Sequence, residues 1–292
     1  MAEWKGKTRG GLMGYKIFVW LLNNIGLNAA YTLLYFVAFY FIPFAPKATL
    51  ALYQFYRKRL GYSFLKTSLF IYRNFYAFGQ TLIDRVAIKS GNGQKFTYFH
   101  DGNEHLIQLV KEAKGGFLIS AHIGNWDIAG YFMKTLNGKI NIVMYDEEHN
   151  QIKDYLQEVA GGATVNIIPI KDDLSHIIAI KNALSAGELI TMHGDRFREG
   201  NRTIEMEFLG MKAEFPIGPF LLATKFKVPV SFVFCVKESK YHYHLFASPG
   251  KMYTSIDDLA KDYKLGLEKK VWAYPLQWNN YYTFWKEKSE VI

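Results

Sequence analysis

Apolar and polar residues are distributed along this chain in two different ways. From position 17 to 46 no residue is charged, and 29–44 is almost wholly apolar and aromatic. Crossing a hydrocarbon layer takes about 20 apolar residues, so the stretch is long enough. Asn23, Asn24 and Asn28 interrupt its first half, which leaves a tilted span and an interfacial helix hairpin both open. A cleaved secretory signal fits less well, because no small-x-small site follows. The next segment, 53–83, is basic and aromatic and predicts helices that pack on the main body or rest on lipid headgroups.

Beyond residue 85 short apolar runs alternate with amphipathic stretches. The runs predict strands at 117–120, 140–145, 165–168, 188–192, 204–208, 229–236 and 242–247. Between them, 173–186 predicts a helix with Leu174, Ile177, Ile178 and Leu184 on one face, an aspartate cap and Gly187 just past its end. A second helix is expected to open at Pro216 and run to Phe226. Strands alternating with helices imply an α/β fold with a mostly parallel central sheet flanked by helices. The expected organisation is an N-terminal hydrophobic helical anchor over 1–50 and one domain over 51–292.

Composition sharpens the anchor. Half the 292 residues are hydrophobic and 17% are aromatic, which suggests lipid contact. The formal charge of +9 is uneven, since no acidic residue occurs between Glu3 and Asp84 while ten basic ones do, Lys16, Arg57, Lys58, Arg59 and Lys66 among them. Such a segment should adhere to an anionic surface. These charges flank hydrophobic segments and do not line a polar groove, so membrane is favoured over nucleic acid. The lone Cys235 excludes an intramolecular disulfide and the usual multi-cysteine zinc sites, and reads as a buried strand residue.

Candidate chemistry lies where strands end. His122-Ile-Gly-Asn-Trp-Asp127 follows the apolar run 116–121, which places a histidine at the mouth of the sheet. On a continuous helix His122 and Asp127 would stand roughly 140° apart, so they can meet only if a helix starts between them. Gly124 permits the turn and Asn125 is a natural N-cap. Asp127 then falls in the first helical turn, where free N–H groups favour its carboxylate. The loop 193–202 follows another strand and carries Asp195, Arg196, Arg198 and Arg202. Arginine forks suit phosphate or carboxylate recognition. No P-loop or dinucleotide fingerprint occurs. His100, Asp101 and His105 hint at a metal, but no compact H-x3-H motif exists, and His122 and His193 are separated by other elements, so no metal is expected.

Taken together these residues resemble the lysophospholipid and lipid A acyltransferases, in particular the late, lauroyl/myristoyl-type branch that adds secondary acyl chains to lipid A. The resemblance covers nearly the whole chain. His122-Ile-Gly-Asn-Trp-Asp127 matches the family's H-x4-D/E motif, and the resemblance implies His122 as general base and Asp127 as its partner. The segment from Leu184 to Asp195 is similar to the strand leading to the family's Asp-Gln pair, with Arg196 in place of the glutamine. Phe208-Leu209-Gly210, Gly218-Pro219-Phe220 and Val228-Pro229-Val230 match the blocks that follow, and Pro275-Leu276-Gln277-Trp278 resembles a Pro-Glu-Gln-Trp signature. Two features depart from the family. Tyr281-Tyr-Thr-Phe-Trp285 stands where a basic cluster is usual, and Lys171 is the nearest cation to the place of a missing arginine.

The resemblance implies an acyltransferase without cofactor that moves a fatty acyl chain from acyl carrier protein or acyl-CoA to a lipid hydroxyl, most simply in lipid A and lipopolysaccharide biosynthesis. His122 would deprotonate the hydroxyl, and backbone N–H groups near Asn125 with a cation from the arginine loop would stabilise the oxyanion. Asn125, Lys171, Asp195, Arg196, Arg198 and Arg202 would contact substrate. The expected site is the cytoplasmic face of a bacterial inner membrane, with no nucleic-acid partner. The tyrosine-rich tail would suit a less anionic acceptor, such as an aminolipid, glycolipid or aryl-polyene-type product. A hydrolase and a non-catalytic lipid-binding membrane protein are the readings from other classes.

Overall fold

A computed structural model describes residues 11–89, 92–126, 128, 136, 138–145 and 165–285. The N-terminal third is helical: α1 (Gly11–Asn24), α2 (Leu27–Phe44), α3 (Pro46–Tyr53), a π-helical turn over Gln54–Arg59, and α4 (Phe64–Lys89). Leu27, Ala30, Tyr31, Leu34 and Ala38 recur at helical spacing and form the buried face of α2. That face runs antiparallel along α4: Leu34 fills the space above Gly79, Tyr35 stacks on Tyr76 at 4.4 Å, and Phe41 meets Phe75. The opposite face is open and aromatic, with Phe36 72% and Phe39 69% exposed.

Seven strands make the main sheet: β1 (Thr97–Asp101), β2 (Gly116–Ser120), β3 (Ile140–Tyr145), β4 (Val165–Ile170), β5 (Leu189–His193), β8 (Val230–Lys237) and β9 (His242–Ala247). Their order is β1-β9-β8-β2-β5-β3-β4, and among the described pairs only β8 with β9 is antiparallel. A separate antiparallel hairpin is built from β6 (Thr203–Phe208) and β7 (Met211–Pro216). The covering helices of the body are α5 (Asn103–Glu112), α6 (Ser175–Ser185), α7 (Gly218–Phe226) and α8 (Ile256–Ala273). Every residue of β2 is buried, as a central parallel strand covered on both faces requires. α8 is capped by the Ser255 hydroxyl, which accepts from the Asp258 N–H, and packs Leu259, Tyr263, Leu267 and Val271 into the core.

The mostly parallel α/β architecture is the one the alternation predicts, and each expected strand is present within a residue or two. Four local readings change. The strand at 204–208 belongs to the hairpin, outside the main sheet. Pro216 ends β7 opposite Thr203, and the helix opens at Gly218-Pro219 instead. α6 begins at Ser175, and it buries Ile180, Ala183 and Leu184 while Leu174 and Ile178 face solvent. β1 was not foreseen, because Tyr98-Phe-His-Asp101 is an edge strand with no buried face to impose alternation.

A buried polar cluster ties α2 to the body. Asp84 on α4 is fully buried and accepts from the Tyr31 hydroxyl of α2, the Tyr243 hydroxyl of β9 and the Lys237 ammonium of β8. The Lys237 Nζ also donates to the Tyr31 hydroxyl at 2.7 Å. Buried charge is tolerated only when paired and hydrogen-bonded, and here all three partners come from different elements.

Candidate active site

The site forms at the carboxyl rim of the sheet because parallel register brings strand ends level. Ser120 of β2 pairs with His193 of β5, and Tyr145 of β3 with Ile170 of β4. The loops that follow β2 and β5 therefore meet. The Ser120 carbonyl accepts from the Gly194 N–H at 2.9 Å and from the Tyr263 hydroxyl at 2.9 Å. A side chain at Gly194 would lie 2.8 Å from the Tyr263 ring, so only glycine lets the β5 loop turn here.

One residue further, Asp195 meets His122. Its Oδ1 is 2.7 Å from His122 Nδ1, and its Oδ2 accepts from the His122 backbone N–H at 2.9 Å and from the Trp278 indole at 3.4 Å. Ring and backbone of one residue are thus held by one carboxylate, which fixes the imidazole and sends Nδ1–H toward Asp195. The His122 side chain keeps 16% of its surface exposed while that of Asp195 keeps 2%, so the pair opens to the outside through the imidazole. Burial would raise the Asp195 carboxyl, yet His122, Arg196 and His193 together hold it well below the usual carboxylate range. Burial lowers His122, the Arg196 charge lowers it further, and Asp195 pulls the other way without reversing the shift.

The loop bearing His122 is clamped by the C-terminal segment. Ile123 and Trp278 form an antiparallel bridge, Gly124 N–H donates to the Gln277 carbonyl at 2.8 Å, and Asn279 N–H donates to the His122 carbonyl at 2.9 Å. Gly124 has φ +66, and a Cβ there would strike the Cys235 carbonyl. Sequence reading noticed the Pro-Leu-Gln-Trp block only as a signature. Its physical role is to hold the His122 loop and to give Asp195 an indole N–H.

The other anticipated residues scatter along the same rim. Arg196 donates to the Asn279 carbonyl and lies 5.9 Å from the Tyr282 ring, on the site's C-terminal wall. Arg198 stacks 3.8 Å over the ring of Tyr145, at the end of β3. Arg202 is exposed before β6, and Lys171 is exposed just past β4. Asp127 lies outside the described residues. Among the described residues Asn125 makes no side-chain cap: its amide donates to the Thr81 carbonyl and the Tyr243 hydroxyl, each at 3.2 Å, and its Oδ1 accepts no hydrogen bond. The backbone N–H groups of Gly124 and Asn125 go to Gln277 and Cys235, so they are not free to bind an oxyanion as the sequence had suggested. Cys235 is buried, as expected, and burial raises its thiol.

The tail also turns out differently. The Tyr281 hydroxyl donates to Asn74, the Tyr282 hydroxyl to the Asp195 carbonyl, and Phe284 and Trp285 are buried against Phe208. The aromatic tail packs inward, so it carries no information on acceptor charge.

His193 was thought remote from His122. Adjacent strands bring their rings to 4.3 Å, with Trp126 edge-on to His193 at 4.9 Å. Among the described residues one group of metal-binding side chains comes together: His122, His193 and Asp195, with one ligand atom from each lying within 4.8 Å of the others.

Comparison with known families decides the class. The chain matches the bacterial lipid A biosynthesis acyltransferase family over residues 69–287. It belongs to that family. The match spans all of the main sheet and the clamp, and most of α4. No curated protein matches the chain. As an enzyme of the transferase class, this acyltransferase carries at its strand rim an imidazole already paired with a carboxylate.

Proposed function

We propose that this acyltransferase moves a fatty acyl chain from a thioester donor, acyl carrier protein or acyl-CoA, to a hydroxyl of a lipid acceptor in lipid A biosynthesis. The observation that carries the reading is the His122–Asp195 hydrogen bond at the open rim of a fold in this family. Asp195 accepts Nδ1–H, so Nε2 is the nitrogen for the acceptor hydroxyl. His122 takes that proton as the oxygen attacks the thioester carbonyl. When the tetrahedral intermediate collapses, the C–S bond breaks and the proton returns to the departing thiolate. Asp195 keeps the tautomer and stabilises the imidazolium. Arg196, whose charge already acts on His122, is the cation placed to stabilise the oxyanion.

The motif assigns Asp127 as partner of His122, whereas geometry supports Asp195. Asparagine at each position separates them: Asp195→Asn should reduce kcat far more than Asp127→Asn, and the reverse result would return the role to the motif. His122→Ala should abolish transfer in a protein that remains folded and membrane-bound, and retained turnover would remove the base. A deletion strain should accumulate lipid A lighter by one acyl chain.

Membrane attachment is proposed on the same footing. α2 is 18 residues long and apolar enough to cross a bilayer by composition, and it is only partly buried. Phe36, Phe39, Tyr40, Phe44, Phe64 and Leu65 are exposed, and so are Arg57, Lys58 and Lys66, a combination suited to anionic lipid. We place residues 1–50 as the anchor and 51–292 as the catalytic domain, on the cytoplasmic face of the inner membrane.

A further inference from the structure

We propose that His193 completes, with His122 and Asp195, a binding site for one divalent transition-metal ion, Zn²⁺ foremost, whose occupancy shuts the enzyme off. Three observations converge. The two imidazoles are brought to 4.3 Å by neighbouring strands, with their planes tilted by 36°. One ligand atom from each of the three side chains lies within 4.8 Å of the others. The Nδ1 of His193 is buried and has no hydrogen-bond partner among the described residues, which leave its bonding capacity unused.

The donor set decides the ion. Two imidazoles and a carboxylate are borderline ligands that suit zinc and cobalt over magnesium or calcium, which take oxygen. Zinc bonds of about 2.0–2.2 Å place tetrahedral ligand atoms about 3.3–3.6 Å apart, so zinc would replace the proton between His122 Nδ1 and Asp195 Oδ1, opening their 2.7 Å separation slightly, while His193 closes in by a small rotation. His193 can supply it, since turning its ring breaks no hydrogen bond at Nδ1. Asp195 and His122 are already oriented by the Trp278 indole, the His122 N–H and the C-terminal clamp. Three protein ligands leave a fourth position open at the rim.

The consequence for turnover rests on the proposed base role of His122. With zinc on Nδ1 in place of the proton, the ring carries its hydrogen on Nε2, which then cannot accept the hydroxyl proton, so metal binding and acceptor activation exclude each other. His193 has no place in the transfer mechanism above, which makes it the residue to vary.

The test uses the full chain in detergent micelles, stripped with EDTA. Co²⁺ is titrated while its visible d–d absorption is followed, and Zn²⁺ is then added to displace it. The proposal expects one Co²⁺ per chain, displacement by Zn²⁺, and affinity weakened at least about tenfold in both His193→Ala and His193→Gln. Two variants guard against a folding defect in one, and circular dichroism checks both. No bound Co²⁺ at micromolar concentrations, or unchanged affinity in a folded His193 variant, would overturn it. Acyl transfer is assayed in parallel, and loss of activity at the same Zn²⁺ concentration with recovery on EDTA supports the inhibitory role. Tight zinc binding with undiminished transfer would overturn that role and the base assignment, while the metal site would stand.

Discussion

Among the described residues two carboxylates, Asp84 and Asp195, are fully buried beside a basic side chain, and they behave in opposite ways. Asp195 is held well below the usual carboxylate range: burial would raise it, but an imidazole and a guanidinium outweigh burial. Asp84, beside Lys237 and two tyrosines, is raised by burial, and Lys237 is lowered by the same cause. Both groups are hydrogen-bonded on several sides. What separates them is access, because the imidazole on Asp195 reaches the rim whereas the side chain of Lys237 is only 8% exposed and is enclosed by Tyr31, Tyr243 and Phe96. Buried charge alone therefore does not mark a reactive site. The first cluster is the one to which a proton transfer is proposed, and the second ties α2 to the body.

That contrast can be broken most directly by removing each carboxylate. Asp195→Asn should lower kcat on the order of 10⁴-fold through the wrong imidazole tautomer, with the thermal midpoint little changed; a loss under tenfold would end the distinction. Asp84→Ala should do the reverse. Stranding a buried lysine costs about 3–5 kcal/mol, read as a lowered denaturation midpoint, and the fraction that remains folded should turn over near the wild-type rate.

Arg196→Ala sharpens the electrostatic half of the comparison. Loss of an oxyanion donor reduces kcat by about 10²–10³, and the pH profile should move as well. Under the proposed base role, transfer needs neutral His122, so activity should rise as pH climbs through its pKa. That pKa is depressed, which puts the acid limb below the ordinary histidine value of about 6.5. Removing the nearby cation lets the pKa rise, so the limb should shift to higher pH, and an unmoved limb would show that Arg196 does not act on His122. The smallest effect is expected from Tyr31→Phe, about 1 kcal/mol for one hydrogen bond, with release of α2 seen as faster amide exchange in residues 27–38. Unchanged exchange would remove the fastening role.

How much of this was legible beforehand depends on the range of the forces involved. The strands at 117–120, 140–145 and 230–236 announce themselves because a central parallel strand must be apolar on both faces, which is a local property. The Pro216 boundary differs because a proline closing an edge strand looks like one opening a helix, and β7, which it ends, carries no expectation of its own. Within the site, His122 was found from its place after a strand and before a glycine turn. Its pairing with Asp195, 73 residues away, was not found, because sequence spacing offers only near neighbours such as Asp127 as candidates.

Taken by itself, the sequence determined the α/β class, the apolar and basic N-terminal segment, the family resemblance and the rim on which the chemistry had to lie, since all of these follow from local pattern and composition. Only the tertiary structure decided which acid holds His122, that His193 stands beside it, that Gln277, Trp278 and Asn279 clamp the His122 loop, and that Asp84 and Lys237 neutralise each other in the interior. Each of those depends on strand order and register, which set distances between residues far apart in the chain and leave no trace in spacing along it.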